Sequence, residues 1–250
     1  MTSSGEWPYH RLPERLADIL ELPEAMRTLH AAIWRDIYLA ADILDDFQDG
    51  DLNGEPAQNM APLVSILCLS RAMALVGQTV APTAVLDLVA NTLSALVQAQ
   101  AWDLMPEQAS KLTLMASIEN RTGATMGGTV AMLGVLSGRE YPSTETLGRW
   151  GHNIGAALQW RSDLDAAAEA GPTSHRWKLL EKSTAGLGLD LPAPAGLVLA
   201  AIRLRILQLQ ANVLYEMTGS EPRGLREAFE EAFDVALDLR LAERRLSRFA

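Results

Sequence analysis

The sequence has few residues of the kinds that build strands, disulfide frameworks or basic surfaces. Its 250 residues include 11 Val and 9 Ile, against 40 Leu and 37 Ala. Leu and Ala are strong helix formers, whereas β-branched residues favour strands, so the composition argues against an all-β fold. The single cysteine, Cys68, excludes an intramolecular disulfide framework. Three lysines, scattered arginines and a net charge of −10 argue against nucleic-acid binding.

Targeting and membrane-spanning segments are also not expected. The first five residues are polar and lack a basic stretch followed by an apolar run, so they do not resemble a signal peptide. The most apolar stretches, Met60–Val76 and Pro194–Leu209, contain arginines and fall short of the ~20 residues that a bilayer requires. We therefore expect a cytoplasmic protein without a transmembrane segment.

Helical periodicity dominates the chain, and glycine and proline mark its interruptions. No internal repeat and no long linker divides residues 1–250, which predicts one helical domain. The predicted helices cover approximately 12–21, 23–47, 58–77, 82–104, 107–137, 144–169, 176–182, 195–218 and 222–248. Such a number of helices in one domain indicates a bundle, in which sites are built from side chains on facing helices.

The first candidate site is a run of carboxylates at the end of the second predicted helix. Five acids lie between Asp42 and Asp51, and Asp45 and Asp49 are i,i+4 neighbours on one helix face. Like charges at a helix C-terminus repel one another and oppose the helix dipole unless a cation neutralises them. Hard oxygen ligands at this spacing suit Mg²⁺. From the residues alone, a solvated acidic helix end explains the run equally well.

A second acidic patch lies about 120 residues further along, within a long predicted helix. Gln159 and Asp163 are one turn apart, and Asp165 and Glu169 are likewise i,i+4 neighbours. Two acidic helix segments that are distant in sequence can face each other across a bundle and hold a metal ion between them.

Four segments, in order along the chain, resemble motifs of the trans-isoprenyl diphosphate synthases (polyprenyl synthetases). Asp45–Asp49 reads DDFQD and resembles the first aspartate-rich motif, DDxxD. Gln100–Leu104 resembles the GQxxDL segment, with Ala99 in place of glycine. Arg121 and Thr122 stand where the family has a Lys-Thr pair, and Gly151–Gln159 resembles the GxxxGxAFQ sequence before the second motif.

The resemblance implies an all-α, single-domain bundle of the isoprenoid synthase type with a central cavity. It further implies Mg²⁺ ions that bind the diphosphate of an allylic prenyl substrate and promote its ionisation. The residues that it assigns to the metal ions are Asp45, Asp46, Asp49, Asp163 and Asp165.

By the same resemblance, three further side chains act on the substrate. Arg121 binds the diphosphate, as the family's lysine does, and Thr122 and Gln159 lie beside the reacting carbons.

Four other residues are expected to line the substrate pocket. Gln100 and Asp103 belong to the GQxxDL-like segment, and Ala40 and Ala41 precede the first motif on the face that a prenyl tail follows in this family. Small residues there imply room for a chain of about 15 carbons or more, although plain helix packing explains alanines equally well.

The departures from the family pattern bear on the reaction. The second motif reads Ser162-Asp163-Leu164-Asp165-Ala166 and has lost its first and third acids. The basic GGKRxRP segment near the N-terminus is missing, so cations for a second diphosphate substrate are not evident. Standard chain elongation is therefore less favoured than transfer of the prenyl group to a non-standard acceptor. The alternatives are a class I terpene cyclase acting on a C15–C20 substrate and a non-catalytic partner subunit. A homodimer is expected, as in the presumed relatives.

Overall fold

The computed structural model describes residues 11–50, 52 and 54–248, with the side chain of Asp49 left out. The helices are α1 (Arg11–Ile19), α2 (Glu24–Asp49), α3 (Glu55–Val76), α4 (Pro82–Leu104), α5 (Lys111–Ser137), α6 (Thr144–Ala170), α7 (His175–Thr184), α8 (Ala195–Glu216), α9 (Leu225–Leu237) and α10 (Arg240–Leu246). Short 3₁₀ turns lie at Pro106–Gln108 and Ala185–Leu187. These ranges contain no strand, which confirms the all-α class. The single domain over 1–250 stays a prediction.

Serine side chains fix the starts of the three helices that follow the middle of the chain. The hydroxyls of Ser110, Ser143 and Ser174 accept hydrogen bonds from backbone N–H groups three residues later, which is the usual N-cap arrangement. The cap at Ser110 explains why α5 begins at Lys111 instead of near residue 107 as predicted.

The predicted last helix, 222–248, is wrong as one element because it is interrupted between α9 and α10. Asp238 accepts hydrogen bonds from the Arg240 guanidinium and from the Arg240 backbone N–H. An aspartate that bonds to nearby backbone in this way competes with helix continuation. The sequence contains no Gly or Pro at this point, so the break carried no strong signal.

The helix α5 is the centre of the bundle, and most of it from Ser117 onward is buried. The helices α4 and α6 pack along its two sides, and α1 and α2 contact it from a third direction. The approach of α6 to α5 is very close, since a Cβ at Gly155 would lie 2.4 Å from the Thr122 carbonyl oxygen. The helices α8, α9 and α10 pack against α6, and α3 packs against α2.

Two helices are more apolar than their positions in the bundle require. Both α3 and α8 have 22 residues and are long and apolar enough to cross a membrane by length and composition. The expectation that these stretches are too short is therefore wrong, because each continues into a full helix. Length and composition alone are weak evidence for a membrane span, since core helices of water-soluble proteins pass the same test.

Candidate active site

The first acidic motif lies on the last turn of α2 and is joined there to the end of α4. Gln100 Nε2 donates hydrogen bonds to Asp45 Oδ1 at 2.7 Å and to Gln48 Oε1 at 2.9 Å. The helix ends at Asp49, and the next residue, Gly50, caps it in the left-handed conformation (φ 74°). Asp46 is exposed to solvent, and the Asp49 side chain lies outside the description. Two of the predicted site residues, Asp45 and Gln100, are thus in direct contact.

A chain of polar contacts connects the other predicted residues across α4, α5 and α6. Arg121 Nη2 donates to Asp163 Oδ2 at 2.5 Å, and Arg121 Nη1 lies 3.4 Å from Asp103 Oδ2. Gln159 Nε2 donates to Asp163 Oδ1 at 2.7 Å, and the Thr122 hydroxyl donates to Gln159 Oε1. The residues that come from three separate motifs of the sequence therefore form one network.

The carboxylates of this network influence one another electrostatically. Burial raises the pKa of Asp163 above its ordinary value, and the negative charges of Asp103 and Asp45 raise it further. The Arg121 guanidinium and the hydrogen bond from Gln159 act in the opposite direction and lower that pKa. Asp45 on α2 is therefore close enough to act on Asp163 on α6, and the two acidic segments face the same space.

The donor set fits a divalent cation that is shared with a phosphate ligand. Asp45, Asp103 and Asp163 carry three negative charges against the one positive charge of Arg121, so this group has a negative excess. Among the described residues, no three Asp, Glu, His or Cys side chains are close enough to form a complete metal cage. Mg²⁺ does not require one, because it is usually held by one or two carboxylates, water and substrate phosphates.

Asp165, which the sequence assigned to the metal, lies on the opposite side of α6 from Asp163. Its carboxylate is 3.6 Å from Arg161 Nε, and Arg245 of α10 donates to its backbone carbonyl at 3.0 Å. Arg245 also pairs with Glu169 at 3.0 Å. Residues two apart in a helix point in different directions, whereas Gln159 and Asp163, four apart, share a face. Asp165 and Glu169 thus hold α10 against α6, and the structure does not bring them to the other carboxylates.

The two alanines before the first motif, Ala40 and Ala41, lie on different faces of α2. Ala41 precedes Asp45 by four residues and shares its face, whereas Ala40 shares the face of Asp36, which pairs with Arg71 of α3. Ala40 is therefore buried toward α3 and does not belong to the pocket side of α2.

Tyr38 of α2 lies on the same face as Ala41 and Asp45 and was not predicted from the sequence as a site residue. It lies seven residues before Asp45, on the same side of α2, and its hydroxyl is 3.3 Å from Thr129 Oγ1 of α5. Burial raises its pKa to about 12. The seven-residue spacing was the signal that could have identified it, since positions i and i+7 lie on one helix face.

A buried ion pair fixes α6 next to Gln159. Trp160 is completely buried, and its indole N–H donates to Glu119 Oε1 of α5 at 3.0 Å. Arg205 of α8 forms two hydrogen bonds with the same carboxylate, at 2.6 and 2.9 Å. This arrangement makes Trp160 an anchor of the core.

Comparison with protein families places these residues in a known context. The sequence profile of the polyprenyl synthetase family matches residues 53–171, a range that contains every site residue named above from α4, α5 and α6 and begins after the first acidic motif. A comparison with curated proteins gives no match.

The same fold occurs in solved structures of low sequence identity. A decaprenyl diphosphate synthase from Rhodobacter capsulatus is 15% identical, with a TM-score of 0.69 over 93% of this chain and 84% of that chain. A geranylgeranyl pyrophosphate synthetase from Pyrococcus horikoshii is 16% identical, with a TM-score of 0.68 over 92% and 85%. A polyprenyl synthase from Roseobacter denitrificans is 16% identical, with a TM-score of 0.64 over 93% and 84%.

Residues 53–171 are therefore similar to the polyprenyl synthetase family, and the chain shares its fold with solved prenyl diphosphate synthases. This similarity indicates an enzyme of the prenyltransferase type. Members of this family bind allylic prenyl diphosphates and generally use Mg²⁺.

Proposed function

We propose that this enzyme ionises an allylic prenyl diphosphate with the help of Mg²⁺ and transfers the prenyl group to an acceptor other than isopentenyl diphosphate. The observation that carries the proposal is that Asp103 and Asp163 both pair with Arg121 while Asp45, on the facing helix α2, acts electrostatically on Asp163. Bound Mg²⁺ would stabilise the negative charge of the leaving pyrophosphate. Asp45 and Asp163, with Asp46 and Asp49 of the first motif, are the proposed metal-binding residues.

The protein's own side chains bind and orient the substrate in this proposal. Arg121 reaches the diphosphate as a charge-assisted donor, for which it exchanges one of its present carboxylate partners. The Thr122 hydroxyl and the Gln159 amide lie on neighbouring helices and hydrogen-bond to each other. In this proposal their oxygen atoms would stabilise the positive charge that develops on the substrate carbons. Thr122 and Gln159 already hold each other in position, so little reorganisation accompanies the reaction.

Scarcity of basic residues supports the choice of acceptor. The chain contains three lysines and no GGKRxRP segment, and Arg121 pairs with two carboxylates at once. A second diphosphate in the same cleft would add negative charge without compensation, which is costly in a partly buried site. An acceptor without a diphosphate avoids that cost.

Tyr38 limits the space for the prenyl chain in this proposal. Seven helical residues span about 10 Å, so the phenol ring stands roughly 10 Å below Asp45 on the pocket face of α2. The Tyr38 ring therefore closes the space beside Ala41 about two helical turns from the Asp45 carboxylate. Short prenyl chains are favoured in this proposal, whereas the alanines alone led us to expect long ones.

The test is pyrophosphate release with Mg²⁺ and geranyl, farnesyl or geranylgeranyl diphosphate. Asp45→Ala and Asp49→Ala are expected to lower the rate at least a hundredfold, because metal stabilisation of the leaving group contributes several kcal/mol. Asp87→Ala, an exposed acid on α4, is the matched control and should retain full activity. Undiminished release in both motif variants would contradict the metal assignment.

Product analysis separates the alternatives. Longer prenyl diphosphates formed with isopentenyl diphosphate would indicate chain elongation, and a cyclic hydrocarbon or alcohol formed without an acceptor would indicate a terpene cyclase. No release with any substrate and any acceptor would indicate a non-catalytic subunit.

A homodimer through α3 is the second part of the proposal. Met60, Leu63, Ile66 and Leu67 are all more than half exposed and cover the side of α3 that faces away from α2. Contiguous apolar surface of this kind marks interaction sites. Sedimentation of the wild type as a dimer and of Leu67→Glu as a monomer is the expected result. The cytoplasmic location likewise stays a prediction.

A further inference from the structure

Two neighbouring residues of α6 are tied to the same turn of α5 by separate hydrogen bonds. Gln159 accepts a hydrogen bond from the Thr122 hydroxyl, and the indole N–H of Trp160 donates to Glu119 Oε1 at 3.0 Å. Successive residues of an α-helix lie about 100° apart around its axis, because there are 3.6 residues per turn. The two hydrogen bonds therefore reach α5 from different directions, and together they oppose rotation of α6 about its own axis.

Glu119 is a fixed point for the second of these hydrogen bonds. Its side chain is buried, and Arg205 of α8 donates to both carboxylate oxygens, at 2.6 and 2.9 Å. A buried carboxylate that is paired and fully hydrogen-bonded in this way keeps its charge and its orientation. Trp160 is completely buried as well, so its ring is confined by close packing. The contact between Trp160 and Glu119 thus depends on three helices at once.

We propose that Trp160 and Glu119 are positioning residues, which hold the Gln159 amide at the place that ionisation of the substrate requires. This role rests on the proposed function, in which the Gln159 oxygen stabilises positive charge on the substrate carbons. A side chain extends about 6 Å from the helix axis, so a rotation of α6 by about 10° would displace the Gln159 amide by about 1 Å. A misplacement of that size can reduce a rate by about a hundredfold.

The experiment replaces Trp160 with phenylalanine, which keeps an aromatic ring in the core and removes the N–H donor. The kcat of pyrophosphate release with Mg²⁺ and a prenyl diphosphate is expected to fall about tenfold, because Gln159 is no longer held in register. The KM should stay nearly unchanged, because Arg121 and Asp45 bind the diphosphate and its metal ions from α5 and α2. Circular dichroism of the variant verifies that it is folded.

Trp150→Phe is the matched control. Trp150 is a second completely buried tryptophan of α6, and its indole N–H also donates to a glutamate, Glu216 Oε2, at 2.9 Å. It precedes Gln159 by nine residues, which is about 14 Å along the helix axis, so this variant should keep the kcat of the wild type. Equal losses of kcat in the two tryptophan variants would overturn the proposal and indicate general damage to the core.

A double-mutant cycle tests whether Trp160 acts through Gln159. Gln159→Ala already removes the amide, so Trp160→Phe is expected to lower kcat no further in that background. Additive losses would overturn the proposal, because they would show that Trp160 acts independently of Gln159.

A measurement without turnover separates this role from the proposed function. The Gln159 side-chain NH₂ group donates to Asp163 Oδ1 at 2.7 Å, and its signal in proton–nitrogen correlation spectra is identified by its loss in Gln159→Ala. The signal is expected to shift in Trp160→Phe and to keep its position in Trp150→Phe. An unchanged signal in Trp160→Phe would overturn the positioning role. A shifted signal in a protein that releases no pyrophosphate would support the contact and contradict the proposed function.

Discussion

Replacing Arg121 with glutamine removes the cation that lies between Asp103 and Asp163. In the folded protein Arg121 contacts both carboxylates, at 3.4 and 2.5 Å, and all three side chains are about one-fifth exposed. Removal of one partner from a fully buried pair costs about 3–5 kcal/mol, and the partial exposure reduces this to about 2 kcal/mol. For a chain of this size, that loss corresponds to a fall in Tm of about 6 °C.

The variant should also respond to Mg²⁺ differently from the wild type. Without the guanidinium, Asp45, Asp103 and Asp163 retain their mutual repulsion, so a divalent cation binds the folded state more tightly and stabilises it by mass action. Thermal unfolding in 10 mM Mg²⁺, without any diphosphate, should therefore raise Tm more in Arg121→Gln than in the wild type.

The control for this comparison is Arg149→Gln. Arg149 lies on the same helix as Asp163, but its ion pairs with Glu145 and Glu216 are exposed, so the expected loss is about 0.5 kcal/mol or less. The reasoning is refuted if the Tm of Arg121→Gln equals that of the wild type, or if Mg²⁺ shifts both proteins by the same amount.

Three further predictions concern stability and chain length. Burial lowers the pKa of His30 to about 4 from an ordinary 6.5, so the unfolded chain takes up a proton first and stability is lost as pH falls from 6.5 to 4. The free energy of unfolding, measured with urea, should fall by about 3 kcal/mol over this pH range, and His30→Gln should make it less dependent on pH. Tyr38→Ala should extend the preferred substrate by at least one isoprene unit in competition assays, and an unchanged preference would contradict its place at the end of the pocket. Gly155→Ala should lower the free energy of unfolding by about 2–3 kcal/mol, because its Cβ would meet the backbone of α5. At Gly196 an added Cβ would meet no neighbouring atom within 4 Å, so the same substitution should leave the free energy of unfolding unchanged. Equal effects of the two substitutions would contradict the packing argument.

The sequence was sufficient to predict the helical class and several of the segments whose polar side chains contact one another. Helix formers and Pro and Gly punctuation act locally, so the approximate positions of α2 to α8 followed from short windows of sequence, although the Ser110 cap that starts α5 was missed. The contacts between Gln100 and Asp45 and between Arg121 and Asp163 connect segments that the family motifs had already singled out. Motif order therefore carried long-range information that periodicity alone does not contain.

The errors have a common physical origin, which is the direction of side chains around a helix. Asp165 and Ala40 were grouped with Asp163 and Ala41 because they are near in sequence, but residues one or two apart on a helix face different neighbours. Tyr38 was overlooked for the complementary reason, since it is distant in sequence from Asp45 yet lies on the same face.

The break between α9 and α10 could not be predicted from the sequence for a different reason. It depends on hydrogen bonds from Arg240 to Asp238, and an Asp-Leu-Arg sequence is equally compatible with a continuous helix.

The close approach of α5 and α6 has a consequence for how the molecule opens. A Cβ at Gly151 would lie 2.7 Å from the Met126 carbonyl oxygen, and Gly155 is even tighter, so these two helices have no freedom to slide or separate without loss of the core. The helix α2 touches α5 instead through a few side chains, such as His30 and Tyr38 with Thr129. Backbone amides of α5 and α6 should thus exchange with deuterium only by global unfolding, whereas α2 and α3 should exchange together through a smaller opening. In such an opening Asp45 on α2 would move relative to Arg121 on α5 and Asp163 on α6, which would stay fixed to each other.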